Sequence, residues 1–245
     1  MSRAINSLRR RQTGAALLLL LAIAGVGAAT LLVSALGRIN LEARRERATV
    51  ILLSQATDAL LGFAIAHGRL PRPAVSATDG QENPGSCEGS TERCTGFLPW
   101  VTLGVSGADS WGKLLRYSVV PLLTEARYSA SQVVATKTVQ LRAANGTLSY
   151  VAGQEECSQL TQCVPLVVFS NGRNNLGTST AGVPQANAAS GNVDEVLNDT
   201  STDHFVQRIA SQDPDTPGGV FDDLLAWVSL RTLFTRMNQA HTLPP

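Results

Sequence analysis

An unbroken apolar stretch near the N-terminus is the strongest feature of the hydrophobicity pattern. Residues 15–37 contain no Asp, Glu, Lys, Arg or His. As an α-helix rising ~1.5 Å per residue, this stretch reaches about 34 Å, slightly more than the ~30 Å of hydrocarbon in a bilayer. Because lipid offers the backbone no hydrogen-bond partners, the pattern predicts a transmembrane helix over residues 15–37.

An amphipathic pattern continues directly from this stretch, over residues 38–67. Its apolar positions recur at steps of three and four, which predicts a helix with one face against a protein core. These positions are Leu53, Ala56, Leu60, Leu61, Ala64 and Ile65. Gly68, Pro71 and Pro73 are signals that end a helix. One helix is therefore predicted over residues 15–67, followed by a head formed by residues 68–245.

In the head, the pattern changes to strand periodicity separated by turns. Residues 71–96 are rich in Pro, Gly, Ser and Thr and are predicted to form a loop. Alternating apolar positions predict strands. The predicted strands are Leu115–Val119, Lys137–Ala143, Thr147–Ala152, Val164–Ser170 and His204–Ile209. Asn145-Gly146 predicts a two-residue hairpin turn between the second and third of them.

The C-terminal part is predicted to contain loops and one helix. Residues 170–177 and 182–198 have few apolar anchors and are predicted as loops, while Phe221–Met237 is predicted as a helix. A sheet with one apolar face must be covered, and the amphipathic half of the long helix is the natural cover. The sequence thus predicts an α+β fold, with a long N-terminal helix packed on an antiparallel sheet.

The charge pattern around the apolar stretch predicts its orientation. Four arginines and no acid precede it: Arg3, Arg9, Arg10 and Arg11. Basic residues favour the cytoplasmic side, so the head is predicted to lie outside the cytoplasm. The apolar stretch also exceeds the roughly 7–15 residues of a cleaved secretory signal core. The formal net charge is only +1, which gives no reason to expect binding to nucleic acid.

Four cysteines form two close pairs along the chain, Cys87 with Cys94 and Cys157 with Cys163. Two local disulfides agree with a head outside the cytoplasm. A zinc site and free thiols remain alternatives, although both spacings are wider than those of usual zinc ligand pairs. Spacing alone does not establish the connectivity.

An oxygen-rich cluster lies in the last third of the chain: Asp194, Glu195, Asn198, Asp199 and Asp203. Calcium prefers about six to eight such hard ligands, so the cluster is a candidate Ca²⁺ site. The alternative is an ordinary solvated acidic loop. No nucleophile–base motif with diagnostic spacing occurs, and an enzymatic activity is not predicted.

Several segments of the chain share their pattern with one known family. The basic leader ends at Gly14 and the apolar helix starts at Ala15. Four further segments are similar to the same family. They are the turn and strand with Trp, Gly and Tyr at Asp109–Tyr117, the end of the helix at Ala59–Pro71, and two loops at Val168–Asn174 and Asp194–Asp199. Together these segments resemble the type IV pilins and the pseudopilins of type II secretion, and the resemblance implies a pilin-like fold.

The resemblance also implies a processing pathway. A prepilin peptidase would cut after Gly14 and methylate the new N-terminal Ala15. The mature subunit would then move from the inner membrane into a filament and contact other pilin-like subunits through its apolar helix. Family members commonly carry Glu at the fifth mature position, where this chain has Leu19. This departure favours a minor or tip-proximal subunit.

Two other functions remain open from the sequence. The chain is alternatively a single-span anchored binding domain that does not polymerise, with its loops around residues 76–96 and 171–203 holding a ligand. A secreted protein released by ordinary signal cleavage is the third possibility. The three differ in whether, and where, the N-terminal segment is cut.

Overall fold

The computed structural model describes residues 6–87, 94–159 and 161–244, with side chains described outside residues 6–15, 32–36, 38 and 39. The chain divides into two compact units, Met1–Arg45 and Glu46–Pro245. Helix α1 spans Asn6–His67. It therefore starts before the predicted Ala15, and it ends as predicted. The predicted leader is helical from Asn6 onward, and its first five residues lie outside the described part of the chain.

The first unit consists of the N-terminal part of α1. Its described apolar stretch is Ala16–Leu31. All its large hydrophobic side chains are exposed: Leu17, Leu18, Leu19, Leu20, Leu21, Ile23, Val26 and Leu31. Within the described residues, α1 is the one helix long and apolar enough to cross a membrane.

The head contains a four-stranded antiparallel sheet in the order β1-β2-β5-β7. Its strands are Thr95–Phe97 (β1), Arg116–Val119 (β2), Leu166–Ser170 (β5) and Leu224–Val228 (β7). β2 and β5 lie within the predicted strands. Strand β5 is buried along its whole length, as expected for a central strand with both faces covered.

A second, three-stranded sheet has the order β4-β3-β6. Its strands are Thr138–Arg142 (β3), Leu148–Ala152 (β4) and His204–Gln207 (β6). The four-stranded sheet confirms the predicted antiparallel sheet, but the second sheet is mixed, because β6 pairs with β3 in parallel. Alternation of apolar and polar residues predicts a strand but not the direction of its partner. The chain enters β6 at the same end of the sheet at which it enters β3, because His204 pairs with Thr138, and the two strands therefore run in parallel.

The core has two apolar clusters on opposite faces of β5. Leu53, Ala56, Leu60 and Ala64 of α1 share one cluster with residues of β2 and with Leu166 and Val168 of β5. Val167 and Phe169 of β5 share the other cluster with Val139 and Phe205 of the second sheet. Successive side chains of β5 therefore point into two different core layers. The amphipathic half of α1 covers the sheet as predicted.

Three local predictions need correction. The segment predicted as a helix over Phe221–Met237 contains strand β7 and then helix α4, Leu230–Gln239, because Leu224–Val228 pair along β5 and Ser229 caps α4. Helix α3, Val193–Thr200, occupies the end of a predicted loop. The hairpin turn is one residue longer than predicted, since Ala143 and Thr147 pair across it and Gly146 has φ 86°.

Both predicted local disulfides are present. Cys87 and Cys94 are bonded with their Cα atoms 5.4 Å apart, and Cys157 and Cys163 with theirs 5.9 Å apart. The first pair is fully buried in the α1 cluster. Two short 3-10 turns, Pro121–Thr124 and Ala130–Gln132, and helix α2, Trp100–Leu103, complete the described elements.

Candidate functional site

The first candidate surface is the exposed apolar stretch of α1. Leu19, the position where the resembled family carries Glu, is 65% exposed on it. The predicted cleavage residues Gly14 and Ala15 lie within α1, but their side chains lie outside the described part. Exposed leucines over several turns have no stable place in water, so this surface requires lipid or another apolar surface.

Two parts of α1 are apolar, and their surroundings distinguish them. The part Asn40–His67 has the length and composition to cross a membrane. However, Leu53 and Leu60 on it are buried in the head core. A side chain packed against the sheet cannot face lipid at the same time. The N-terminal apolar part, which includes Ala16–Leu31, is therefore the part of α1 whose exposed side chains need an apolar environment.

The five residues of the predicted Ca²⁺ site make separate contacts within the head. Asp194, which is 1% exposed, lies between two arginines. Arg142 donates to both of its oxygens (2.7 and 2.8 Å), and Arg208 Nε donates to Oδ2 (2.9 Å). Asp199 lies 3.5 Å from Arg116 Nη1. These carboxylates therefore already have cationic partners within the protein.

Asn198 and Asp203 also have structural roles. Asn198 Oδ1 accepts from the Val206 amide (2.8 Å), and its Nδ2 donates to the Val206 carbonyl (2.8 Å), so it links α3 to β6. Asp203 Oδ1 accepts from Lys137 Nζ (2.8 Å) and from Thr136 Oγ1 (2.9 Å). Burial pushes the pKa of Asp203 upward, but Lys137 and the hydrogen bonds outweigh it and leave the pKa below its ordinary value.

Replacing Lys137 by Met is expected to destabilise the head in a pH-dependent way. The Lys137 side chain is fully buried and Asp203 is only partly exposed, so at about pH 7 the change should lower the free energy of unfolding by about 2 kcal/mol. In the wild type, the lowered pKa of Asp203 provides stability above its unfolded pKa of ~3.9, and this is lost as the pH falls through the folded pKa. The difference between the two proteins should therefore shrink at about pH 3.

Urea unfolding at both pH values measures this difference. Exposed Arg127, replaced by Met, is the matched control and should change the unfolding free energy by less than about 0.5 kcal/mol at either pH. A Lys137→Met effect of equal size at both pH values would mean that Lys137 acts through packing rather than through Asp203.

A different carboxylate cluster forms where the sequence did not predict one. Glu195, Asp222 and Asp223 each offer one oxygen, and these oxygens lie within 4.8 Å of one another. Glu195 comes from α3, while the two aspartates directly precede β7. Among the described residues, Glu195 is the one member of the predicted Ca²⁺ set that belongs to such a group.

The cluster, defined as Glu195, Asp222 and Asp223, strongly perturbs its own ionisation. Burial, reinforced by Glu195, raises the pKa of Asp222 to about 6. Burial also raises the pKa of Asp223 well above its ordinary value, with like charges adding to the effect and Asn198 opposing it. Three carboxylates held this close, two of them buried, repel one another unless a cation or proton joins them.

A buried ammonium lies in the field of the cluster. Lys113 Nζ donates to the carbonyl oxygens of Asn175 (3.0 Å), Asn171 (3.3 Å) and Asn174 (3.4 Å). Burial lowers its pKa, and Asp222, Asp109, Asp223 and Glu195 act in the opposite direction. Gly172 in the same loop has φ 57°, and a Cβ there would collide with the Asp222 carboxylate. The loop after β5 therefore packs directly against the cluster.

Sequence reasoning missed this cluster because Asp222-Asp223 was assigned to the start of a helix. The available signal was the adjacent acid pair itself, next to an apolar segment. Its partner Glu195 is distant in the sequence, and only the docking of α3 beside β7 brings them together.

Compared with known proteins, the chain matches no family model, no curated protein and no solved structure.

Proposed function

We propose that this chain is a non-enzymatic, membrane-anchored subunit of a cell-envelope filament, of the minor pilin-like or pseudopilin kind. The observation that carries the proposal is helix α1. Its N-terminal part presents exposed apolar side chains, and its C-terminal turns contribute buried side chains to the core of the head. Such a helix provides an anchor and an assembly surface in one element.

The physical basis is the similarity of the two environments that α1 would occupy. Lipid chains and a packed bundle of apolar helices are equally free of water, so moving from one to the other costs little hydrophobic free energy. Leu19 keeps this surface apolar where the resembled family carries a charge. A buried charge helps to specify register more than it adds stability, so its absence favours a minor subunit over the bulk subunit.

The head would then lie in the periplasm or on an extracellular filament, with the N-terminus in the cytoplasm. The four arginines before the apolar stretch support this orientation. The two disulfides support an oxidising compartment for the head. The partners would be other pilin-like subunits, contacted through α1, and a prepilin peptidase of the inner membrane.

Processing after Gly14 tests the proposal. The protein is extracted from membranes of cells with an active prepilin peptidase, and its intact mass is measured. We expect the loss of residues 1–14 and the gain of one methyl group at Ala15. Gly14→Val should retain the leader, because a Cβ hinders close approach of the peptide bond to a protease. Gly25→Val, in the open apolar part of α1, is the matched control and should be processed normally.

Each other result would point away from a filament subunit. Retention of residues 1–14 by the wild type, with the peptidase active on a known substrate, would favour the anchored binding domain. A cut beyond Val33 that releases a soluble head would favour the secreted protein. Copurification of processed protein with other subunits, lost when Ile23 is replaced by Arg, would support assembly through α1.

A further inference from the structure

We propose that the head binds a carboxylate ligand with a small apolar body, in a cavity beside strand β1 where Arg116 holds the carboxylate. The proposal concerns the second unit alone and does not depend on the filament role. The cavity has a volume of about 420 Å³, within the ~300–1,000 Å³ of typical small-ligand sites. Its lining comes from β1, from Arg116 of β2 and from the segment that leads from α1 to β1.

The walls of this cavity are mainly apolar. They include Pro73, Ala74, Val75 and Phe97. Asn83 adds an amide group, whose Oδ1 accepts from the Gly85 amide (3.0 Å) and whose Nδ2 makes no hydrogen bond within the described residues. Walls of this kind accommodate an apolar body, while a few polar groups fix its orientation.

Arg116 supplies the charge of the cavity. Among the described residues it is the one cationic side chain in the lining. Its guanidinium meets one carboxylate, Asp199, whose Oδ1 lies 3.5 Å from Nη1. Charge-assisted N–H···O bonds are usually about 2.7–2.9 Å long, so this contact is weak. The same Asp199 oxygen also accepts from Asn171 Nδ2 (3.3 Å), and the charge of Arg116 is therefore incompletely compensated within the head.

The hydrogen-bond donors of Arg116 are also poorly satisfied, which is an independent observation. In the described part of the chain its side chain makes one hydrogen bond, the long contact to Asp199, and its buried Nε has no partner. Burial lowers the pKa of this guanidinium and outweighs the opposing effect of Asp199. A buried donor of this kind is rare unless a ligand or water satisfies it. A carboxylate would bring both an acceptor and the missing negative charge.

The position and shape of the guanidinium favour a carboxylate over other anions. Arg116 Cζ lies 5.8 Å from the ring centroids of both Phe97 and Phe169, and these contacts hold it in place before a ligand arrives. The planar guanidinium offers parallel N–H donors that match the two oxygens of a carboxylate. A phosphate group carries nearly two charges, which one partly paired arginine does not neutralise.

This chemistry has two sources, a small organic acid and the C-terminal end of a peptide chain. Isovalerate represents the first and N-acetyl-leucine the second, since both join a carboxylate to a branched apolar body. N-acetyl-leucinamide is the control, because it keeps the apolar body and lacks the charge.

Thermal unfolding of the full-length protein in detergent, at constant ionic strength, measures binding of these probes. For a dissociation constant of ~1 mM, about 20 mM N-acetyl-leucine should raise the Tm by roughly 3–7 °C. N-acetyl-leucinamide should raise it by less than about 1 °C, because Arg116 then has no anion to bind. An equal shift with isovalerate would identify the ligand as a small acid, and a smaller shift would identify it as a chain end.

Two variants test the position of the site. Arg116→Gln should abolish the shift, but it also deprives Asp199 of its cation. Val75→Asp leaves that pair in place and alters a side chain that is 73% exposed, so the fold should tolerate it. Its new carboxylate competes with the ligand for Arg116 and should reduce the shift to less than about 1 °C. Val183→Asp is the matched control, because Val183 is 62% exposed and lies outside this lining, and it should keep the full shift.

Three results would overturn the proposal. An unchanged Tm with both carboxylates would show that the cavity binds neither source. Equal shifts with N-acetyl-leucine and its amide would mean that the charge of Arg116 plays no part. An undiminished shift in Val75→Asp would place the bound acid elsewhere on the protein.

Discussion

Replacing Asp194 by Asn is expected to lower the free energy of unfolding of the head by about 3–5 kcal/mol. Asp194 is 1% exposed and receives hydrogen bonds from Arg142 and Arg208. Asparagine has nearly the same shape but no charge, so two guanidinium groups, of which Arg208 is the more deeply buried, would lose their counter-charge. Leaving buried charges uncompensated costs far more than the loss of an exposed ion pair.

Denaturant unfolding of the full-length protein in detergent measures this effect. The midpoint should fall while the dependence on denaturant stays constant, as it does when stability alone changes. Exposed Asp215→Asn is the control and should change the stability by less than about 0.5 kcal/mol. A loss below about 1 kcal/mol for Asp194→Asn would mean that water reaches the two arginines, contrary to their arrangement.

Asp194 and Glu195 are adjacent in α3, yet their surroundings differ. Asp194 contacts Arg142 and Arg208, whereas Glu195 contacts Asn192, Asn175 and Asp222. The predicted loss of stability therefore belongs to the arginine contacts of Asp194 and not to the carboxylate cluster.

Replacing Leu60 by Ala is expected to cost about 2–5 kcal/mol, the usual range for emptying a buried leucine site. Leu60 is 0% exposed and belongs to the cluster that α1 forms with β2 and β5. The loss combines the transfer of the side chain from water with the cavity that remains, because helix and sheet cannot collapse fully around it.

Ile51→Ala is the matched control on the same helix. Ile51 is 58% exposed, so its replacement should change the stability by less than about 0.5 kcal/mol. Both variants are compared by denaturant unfolding in detergent. Similar effects of the two substitutions would contradict the assignment of one face of α1 to the head core.

Much of the fold was predictable because it depends on local patterns. The spacing of Leu53, Leu60 and their neighbours identified the buried face of α1, and Gly68 marked its end. Alternation identified β2, β3, β4, β5 and β6 to within a few residues. The two disulfides join cysteines that are six and seven positions apart, so short connections made the local pairing the simplest expectation.

The segment from Phe221 to Met237 shows where local pattern was insufficient. Leu224–Val228 is a short apolar run, and such a run is compatible with either a buried helix or a buried strand. Leu224–Val228 forms a strand because it pairs with β5 along five residues, and this pairing satisfies the backbone hydrogen-bonding groups of β7. Only after Ser229 does the chain turn into α4.

The sequence by itself determined the uncharged stretch that requires an apolar environment, the amphipathic continuation of that helix and the positions of most strands. These follow from the side-chain period of each element, which depends on neighbours along the chain. The tertiary structure alone decided that Asp194 meets Arg142 and Arg208, and that Glu195 meets Asp222 and Asp223. Periodicity specifies which face of an element is buried, but the partner opposite that face is set by how α3, β3 and β7 pack together.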